Sequence, residues 1–377
     1  MKIALVHDYL SEAGGAERVL GVLAEMYPEA PIYTAFAKRG TASKMLGERR
    51  EMVVESKWGW FLKIGRFYSY FRFLLPWIWK SIDLREYDLV ITSCSGYIAR
   101  GFRVRQDAKV VAYCHTPPRW LYGYDTPSGA QAKWWGQAFM WLVGPFIRYF
   151  DYQSAQRVDV WIANSKEVAG RIRKFYRKEA SVVYPPIEIS YSRRAVEPYI
   201  QKDKKRIHGF TDSRENEYYL MISRIVGGKG IEAVIAASKK LDVRFKIVGE
   251  DVGNYGDLLS QVGTNVEYLG RVDDAQLAAL YQGASGFVAL ARDEDFGMTV
   301  VESMAYGTPV LAFNGGGYKE TVLPGKTGIL IERTDVESVK RGIAQMEKTK
   351  WDREAIKKWA SRFGRARFEK EIIEIIT

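Results

Sequence analysis

Cysteine is nearly absent from this chain, with Cys94 and Cys114 the two examples in 377 residues. Two thiols exclude both a disulfide framework and a cysteine-rich zinc site. Long apolar runs are also missing. None approaches the ~20 residues that a membrane-spanning helix needs. The opening run Lys2–His7 lacks the basic start, long apolar middle and small-residue cleavage site of a signal peptide, so the cytoplasm is the expected address. Compositional bias is absent too. Apolar residues at 47% and charged residues at 27% exclude disordered, collagen-like and coiled-coil chains. The length suits two domains better than one.

Positive charge and aromatic rings are in excess. The formal net charge is +11 and aromatics make up 14% of the chain. Residues 1–188 carry 27 Lys and Arg against 18 Asp and Glu, while the remainder is nearly balanced at 29 against 27. The first half is therefore expected to meet something anionic: a membrane face, a nucleic acid or a phosphorylated substrate.

Short apolar runs alternate with helical patterns from end to end. Lys2–His7, Tyr87–Ser93, Lys109–Cys114 and Val158–Asn164 read as strands of the first half. Tyr218–Ser223, Arg244–Gly249, Val266–Leu269, Gly286–Leu290 and Pro309–Phe313 read as strands of the second. Helical patterns cover Ala16–Met26, Lys229–Lys240, Thr299–Tyr306 and Asp352–Ile376, the last with a break near Gly364. This alternation predicts an α/β chain with parallel sheets. Between the halves, residues 191–216 are polar and weakly periodic and read as a linker.

Four segments carry chemistry. In the run Ala291–Val310, a strand leads to Glu294, Phe296-Gly297 makes a turn, and a helix starts near Met298 and Thr299. Amides at a helix start bind anions. Glu302 follows Glu294 by eight residues. On an unbroken helix the two would lie ~12 Å apart, beyond the roughly 5–9 Å of a glycosidase acid pair. With a turn between them, both can line one elongated ligand. Asp293-Glu294-Asp295 also admits a divalent metal in principle, but acids just before a helix start are the wrong setting, and no metal is expected. In the second segment, Arg224 follows a strand, and Gly227-Gly228-Lys229-Gly230 turns the chain into a helix. Two cations converging there suit a diphosphate leaving group. In the third, Gly14-Gly15 after the first strand allows close backbone approach to a ligand. The full GxGxxG pattern is lacking, which argues against a dinucleotide site. In the fourth, His115 ends a strand and opens the proline-stiffened loop Thr116-Pro117-Pro118-Arg119.

Glu294, Phe296-Gly297, Glu302 and Gly307-Thr308-Pro309, together with Arg224 and Lys229-Gly230, resemble the signature of retaining GT-B glycosyltransferases, more narrowly family four. The resemblance extends from His7 to Glu320 and includes Asn164-Ser165-Lys166, Tyr184-Pro185-Pro186 and Asn314-Gly315-Gly316-Gly317. It implies the GT-B fold: two Rossmann-like α/β domains facing across a cleft, with the C-terminal helix crossing back to the first domain. The expected domains are 1–190 with 362–377, for the acceptor and the membrane, and 217–361, for the nucleotide sugar. The resemblance implies that Glu294 contacts donor-sugar hydroxyls and Glu302 holds the ribose. Gly297 and Met298 would approach the sugar diphosphate, with Phe296 and Thr299 beside them. Arg224 and Lys229 would take the diphosphate, Gly270-Arg271-Val272 would hold the base, and Gly14 and Gly15 would approach the donor. His115 would touch the sugar, giving a catalytic set of His115, Arg224, Lys229 and Glu294. The run His115–Arg119, with Ser81–Thr92, further resembles bacterial O-antigen mannosyltransferases that use GDP-mannose. A UDP-sugar donor is the alternative, and a non-catalytic nucleotide-sugar-binding scaffold is another. The sequence leaves acceptor, linkage and oligomeric state open.

Residues 56–80 contain ten aromatics, five Lys or Arg and no acid. Trp58, Trp60, Lys63, Arg66, Phe67, Tyr70, Arg72, Trp77 and Trp79 form the expected membrane and acceptor face, with a second aromatic stretch at 133–149. Aromatics among cations suit a lipid headgroup boundary. An ordinary buried helix is the plainer alternative. Stacked nucleic-acid bases would suit the composition, but no nucleic-acid module accompanies it, and no such partner is expected. A peripheral enzyme on the inner membrane face, acting on a lipid-linked glycan, fits this reading.

Overall fold

A computed structural model describes residues 1–11, 14–63, 70–124, 134–187, 217–251, 255–260 and 265–377. The expected linker at 191–216 and the face residues Arg66 and Phe67 lie outside these. The chain forms two compact units. One comprises Met1–Asp125, Ala130–Pro186 and Arg365–Thr377, and the other is built from Ile187–Gly364.

The first unit is wound around seven parallel strands. They are β1 (Ile3–His7), β2 (Ile32–Thr34), β3 (Val53–Glu55), β4 (Leu89–Cys94), β5 (Lys109–Cys114), β6 (Val160–Ala163) and β7 (Ser181–Val182). Their spatial order is β3-β2-β1-β4-β5-β6-β7. Every residue of β4 is buried, as expected of a central parallel strand covered on both faces. Leu5, Ile91, Val111 and Ile162 pack into the core on one face of the sheet, and Ala4, Val6, Val90 and Ala112 into the core on the other. Cys94 and Cys114 are register neighbours on β4 and β5, both buried and unbridged.

The C-terminal helix Arg365–Ile376 belongs to this first unit. Phe368, Ile372 and Ile376 enter the core containing Leu5 and Tyr113. Lys109 Nζ donates to the carbonyl of Ile376 at 2.6 Å. The break expected near Gly364 falls between a short 3-10 turn, Ser361–Phe363, and this helix.

The second unit repeats the plan with β8 (Tyr218–Ile222), β9 (Arg244–Val248), β10 (Val266–Gly270), β11 (Gly286–Ala289), β12 (Val310–Phe313) and β13 (Gly328–Ile331). All pairings are parallel, in the order β10-β9-β8-β11-β12-β13. The helix Val336–Lys348 covers one face. It approaches closely because Gly342 lies against Leu311, where a Cβ would come within 2.5 Å of a methyl carbon. Each sheet has one point where strand order reverses: β1 beside β4, and β8 beside β11. In doubly wound sheets, ligands bind at the carboxyl ends of the strands flanking that point.

Candidate functional site

In the second unit, both flanking strands deliver predicted residues. Beyond β8, Arg224 is exposed and the chain turns through Gly228 and Gly230, both in the left-handed region. At Gly230 a Cβ would come within 2.4 Å of the Leu290 side chain, so only glycine lets this turn seat against the end of β11. Lys229 sits between these glycines, and its Nζ lies 2.8 Å from Glu294 Oε2. Each side chain retains 22% of its exposure. The pair joins a cation after β8 to an acid after β11, across the reversal point.

The helix Met298–Ala305 begins beside this pair, capped by Gly297 at φ 87°. Met298 and Thr299 are half-buried in its first turn, where amides have no intrahelical acceptor. Phe296 is buried edge-on against Phe363, centroids 5.6 Å apart, which anchors the turn. Glu302 is also buried, and Tyr281 donates its hydroxyl proton to Oε2 at 2.8 Å. The Gly315–Gly317 run packs on the backbone of the acidic turn. A Cβ on Gly316 would lie 2.1 Å from the Glu294 carbonyl oxygen, and the Gly317 amide donates to that carbonyl at 2.9 Å. The family resemblance includes this triplet, but its contact with Glu294 was missed. Tyr281 was missed altogether. Three consecutive glycines are the one signal that could have announced a close backbone approach.

The predicted base-holding segment lies two strands further out, at the end of β10. Gly270 ends β10 in the left-handed region, and its carbonyl accepts from the Gly249 amide at 2.9 Å. Arg271 is exposed and pairs with Glu250 at 3.2 Å, while Val272 is half-buried.

In the first unit, the ends of β1, β4 and β5 hold a buried polar cluster. His115 follows β5, and Ser93 Oγ lies 2.8 Å from its Nε2 and 3.0 Å from His7 Nδ1. Burial, with His7 close by, pushes the His115 pKa down to about 3, so His115 is neutral at physiological pH. Gly14 precedes the helix Gly15–Met26 as its N-cap, and its amide donates to Glu17 Oε2 at 3.0 Å. The helix start after Gly14 thus already faces a carboxylate of its own first turn.

Asp8, unassigned by sequence reasoning, is buried and accepts four hydrogen bonds. They come from the amides of Ser95, Tyr97 and Ala99 and the Ser95 hydroxyl, at 2.7–2.9 Å. Burial pushes its carboxyl upward, and these donors pull it back toward the ionised form. The loop it holds contains Ile98 at φ 54°, a strained conformation for a β-branched residue.

The predicted membrane face divides. Trp58, Trp60 and Trp77 are about half exposed. Lys63 is exposed and paired with Glu55. Tyr70 begins a 3-10 turn, Tyr70–Leu74. Arg72 turns back over the rings of Trp120 and Tyr97, 4.8 and 5.6 Å from their centroids. Trp79 is a correction: it is 0% exposed and its indole N–H donates to the Tyr97 carbonyl at 2.7 Å. On the helix Leu75–Lys80, Trp77 and Trp79 are two positions apart and so point to opposite sides. The second aromatic stretch lies on the helix Trp134–Gln156, which leaves Trp134 79% and Trp141 81% exposed. Trp77 and Phe146 touch, with centroids 5.8 Å apart, so the two stretches share one surface. The sole acid of that helix, Asp151, is buried inward on Arg100 and accepts from the Tyr122 hydroxyl. Among the described residues, no helix is long and apolar enough to cross a membrane.

Residues 13–191 match the Glycosyltransferase Family 4 model, and residues 203–363 match that of glycosyl transferases group 1. The two matches together span most of the chain, and the fold is GT-B. An uncharacterized glycosyltransferase of Methanocaldococcus jannaschii is 26% identical over 53% of this chain and 52% of its own length. A GDP-mannose-dependent monoacylated phosphatidylinositol monomannoside mannosyltransferase of Corynebacterium glutamicum is 27% identical over 54% of this chain and 57% of its own. The chain thus spans little more than half the length of these two relatives. The crystal structure of Anabaena Alr3699/HepE with UDP and glucose superposes with a TM-score of 0.70 at 20% identity, covering 100% of this chain and 99% of that one. At that identity the likeness speaks for the fold.

Proposed function

We propose that this protein is a retaining hexosyltransferase that moves mannose from GDP-mannose to a lipid-linked or cell-surface glycan at the inner membrane face. The carrying observation is the Lys229–Glu294 pair at the strand-order reversal of the second sheet, next to the helix start at Gly297. A sugar diphosphate offers phosphate charge to Lys229 and Arg224, and hydroxyls to Glu294. As the bond from the sugar's anomeric carbon to the diphosphate oxygen breaks, negative charge grows on the diphosphate, where the two cations stabilise it. The acceptor oxygen bonds to that carbon from the same face, and its proton passes to the leaving phosphate oxygen. With two cations serving the diphosphate, no metal is required. Glu302, positioned by Tyr281, takes the ribose, and Gly270-Arg271-Val272 takes the base.

The mannose reading is supported by the Corynebacterium relative and by a GDP-mannose-dependent phosphatidylinositol monomannoside mannosyltransferase of Mycolicibacterium smegmatis, 25% identical over 56% of this chain. A UDP-sugar donor is the second reading, favoured by the UDP and glucose bound in the Anabaena structure. Membrane docking is supported by the exposure of Trp134, Trp141 and Trp77, and by that of the cations Lys57, Lys80 and Arg148.

The test is transfer on vesicles containing anionic phospholipid and a lipid extract as acceptor source, with a chelator present. GDP-mannose is expected to yield an α-linked mannolipid. Trp141→Ser with Trp134→Ser is expected to lower both vesicle binding and transfer about tenfold, and high salt to weaken binding. Transfer from UDP-sugars alone overturns the donor. Vesicle binding unchanged in the double variant overturns the docking surface.

A further inference from the structure

The His115 imidazole ends a buried polar chain that crosses three adjacent strands. Glu17 Oε1 lies 3.8 Å from His7 Nε2. His7 Nδ1 lies 3.0 Å from Ser93 Oγ, and Ser93 Oγ lies 2.8 Å from His115 Nε2. His7 and Ser93 are register partners on β1 and β4, flanking the reversal point. All four residues are less than one-tenth exposed.

We propose that Glu17, His7 and Ser93 are positioning residues that fix His115 in the tautomer protonated at Nε2, leaving Nδ1 as an acceptor for a sugar hydroxyl. The role given to Nδ1 rests on the glycosyltransferase reading above; the tautomer does not.

The direction of the chain follows from donor and acceptor counting. A neutral imidazole has one donor nitrogen and one acceptor, and a serine hydroxyl has one proton to give. The Glu17 carboxylate, itself held by the Gly14 amide, favours a proton on His7 Nε2. His7 Nδ1 is then an acceptor and takes the Ser93 hydroxyl proton. The Ser93 oxygen in turn accepts from His115 Nε2–H, and Nδ1 is left with its lone pair. Reversing the chain would turn the His7 Nε2 lone pair toward the Glu17 carboxylate, acceptor against acceptor. A buried, neutral His115 has no second proton to blur the choice. The hydrogen-bond partner of one imidazole nitrogen thereby sets what the other offers.

Tautomers are read directly from nitrogen shifts after histidine-selective 15N labelling of the full chain, without ligand and at neutral pH. The chain has three histidines, and His115→Gln assigns the signal. The expected result is a protonated-type Nε2 and an unprotonated-type Nδ1 for His115. Glu17→Gln and Ser93→Ala, with folding checked by amide spectra, are each expected to turn that single tautomer into a mixture. A wild-type His115 protonated at Nδ1 overturns the proposal with no variant needed. So does an unchanged His115 signal in a folded Glu17→Gln or Ser93→Ala protein. Failure of sugar transfer would leave these signals as they are, and the reverse also holds, so the two readings fail separately.

Discussion

Replacing Lys229 with alanine is expected to lower turnover by about 10²–10³ while the protein stays folded. The magnitude is that of removing one preorganised donor from a developing oxyanion. Folding should survive because the partly exposed Lys229–Glu294 pair contributes at most about 1 kcal/mol. Lys229→Arg should recover only part of the loss. A planar guanidinium cannot replace a compact ammonium in a turn closed on both sides by left-handed glycines. Steady-state kinetics beside a thermal melt decide the matter. Normal turnover in a folded Lys229→Ala protein would remove the cation from the chemistry. Loss of folding would make the pair structural.

The second large effect falls on stability. Asp8→Ala is expected to cost about 3–5 kcal/mol, because it strands donors that the carboxylate now satisfies and releases the loop carrying strained Ile98. Asp8→Asn should not restore it, since an amide NH2 would face N–H donors. Denaturant titration followed by near-ultraviolet dichroism of the first unit's aromatics measures the loss. A cost below 1 kcal/mol would show that the loop holds without its acid.

The parallel α/β plan was legible because most buried strands write a short apolar run, and the strands that were read lie within a few residues of those found; the short strands β2, β3, β7 and β13 were not read. Tyr87–Ser93 became Leu89–Cys94, and Lys229–Lys240 shortened to Ile231–Ser238. Segments that carry their spacing locally were equally visible: Arg224 with Lys229, and Glu294 with Gly297 and Glu302. What was not legible depends on residues far apart in the chain. Ser93 reaches His115 only because β4 lies beside β5. Asp8 meets Ser95 only because β1 lies beside β4. Tyr281 finds Glu302 from a different helix. Nor could composition separate Trp77 from Trp79 in the run Pro76-Trp77-Ile78-Trp79-Lys80. Only the side of the helix that meets Tyr97 does so.

The central claim is that the second unit binds a nucleotide sugar at its strand-order reversal. Thermal unfolding with GDP, GDP-mannose, UDP, UDP-glucose and ADP, in the presence of a chelator, tests it most directly. A ligand at 100 times its dissociation constant adds ~2.7 kcal/mol of stability. Stabilisation by GDP and GDP-mannose, weakened in Lys229→Ala, is the predicted result. Stabilisation by UDP species alone would keep the site and change the sugar. No shift with any nucleotide would contradict the account.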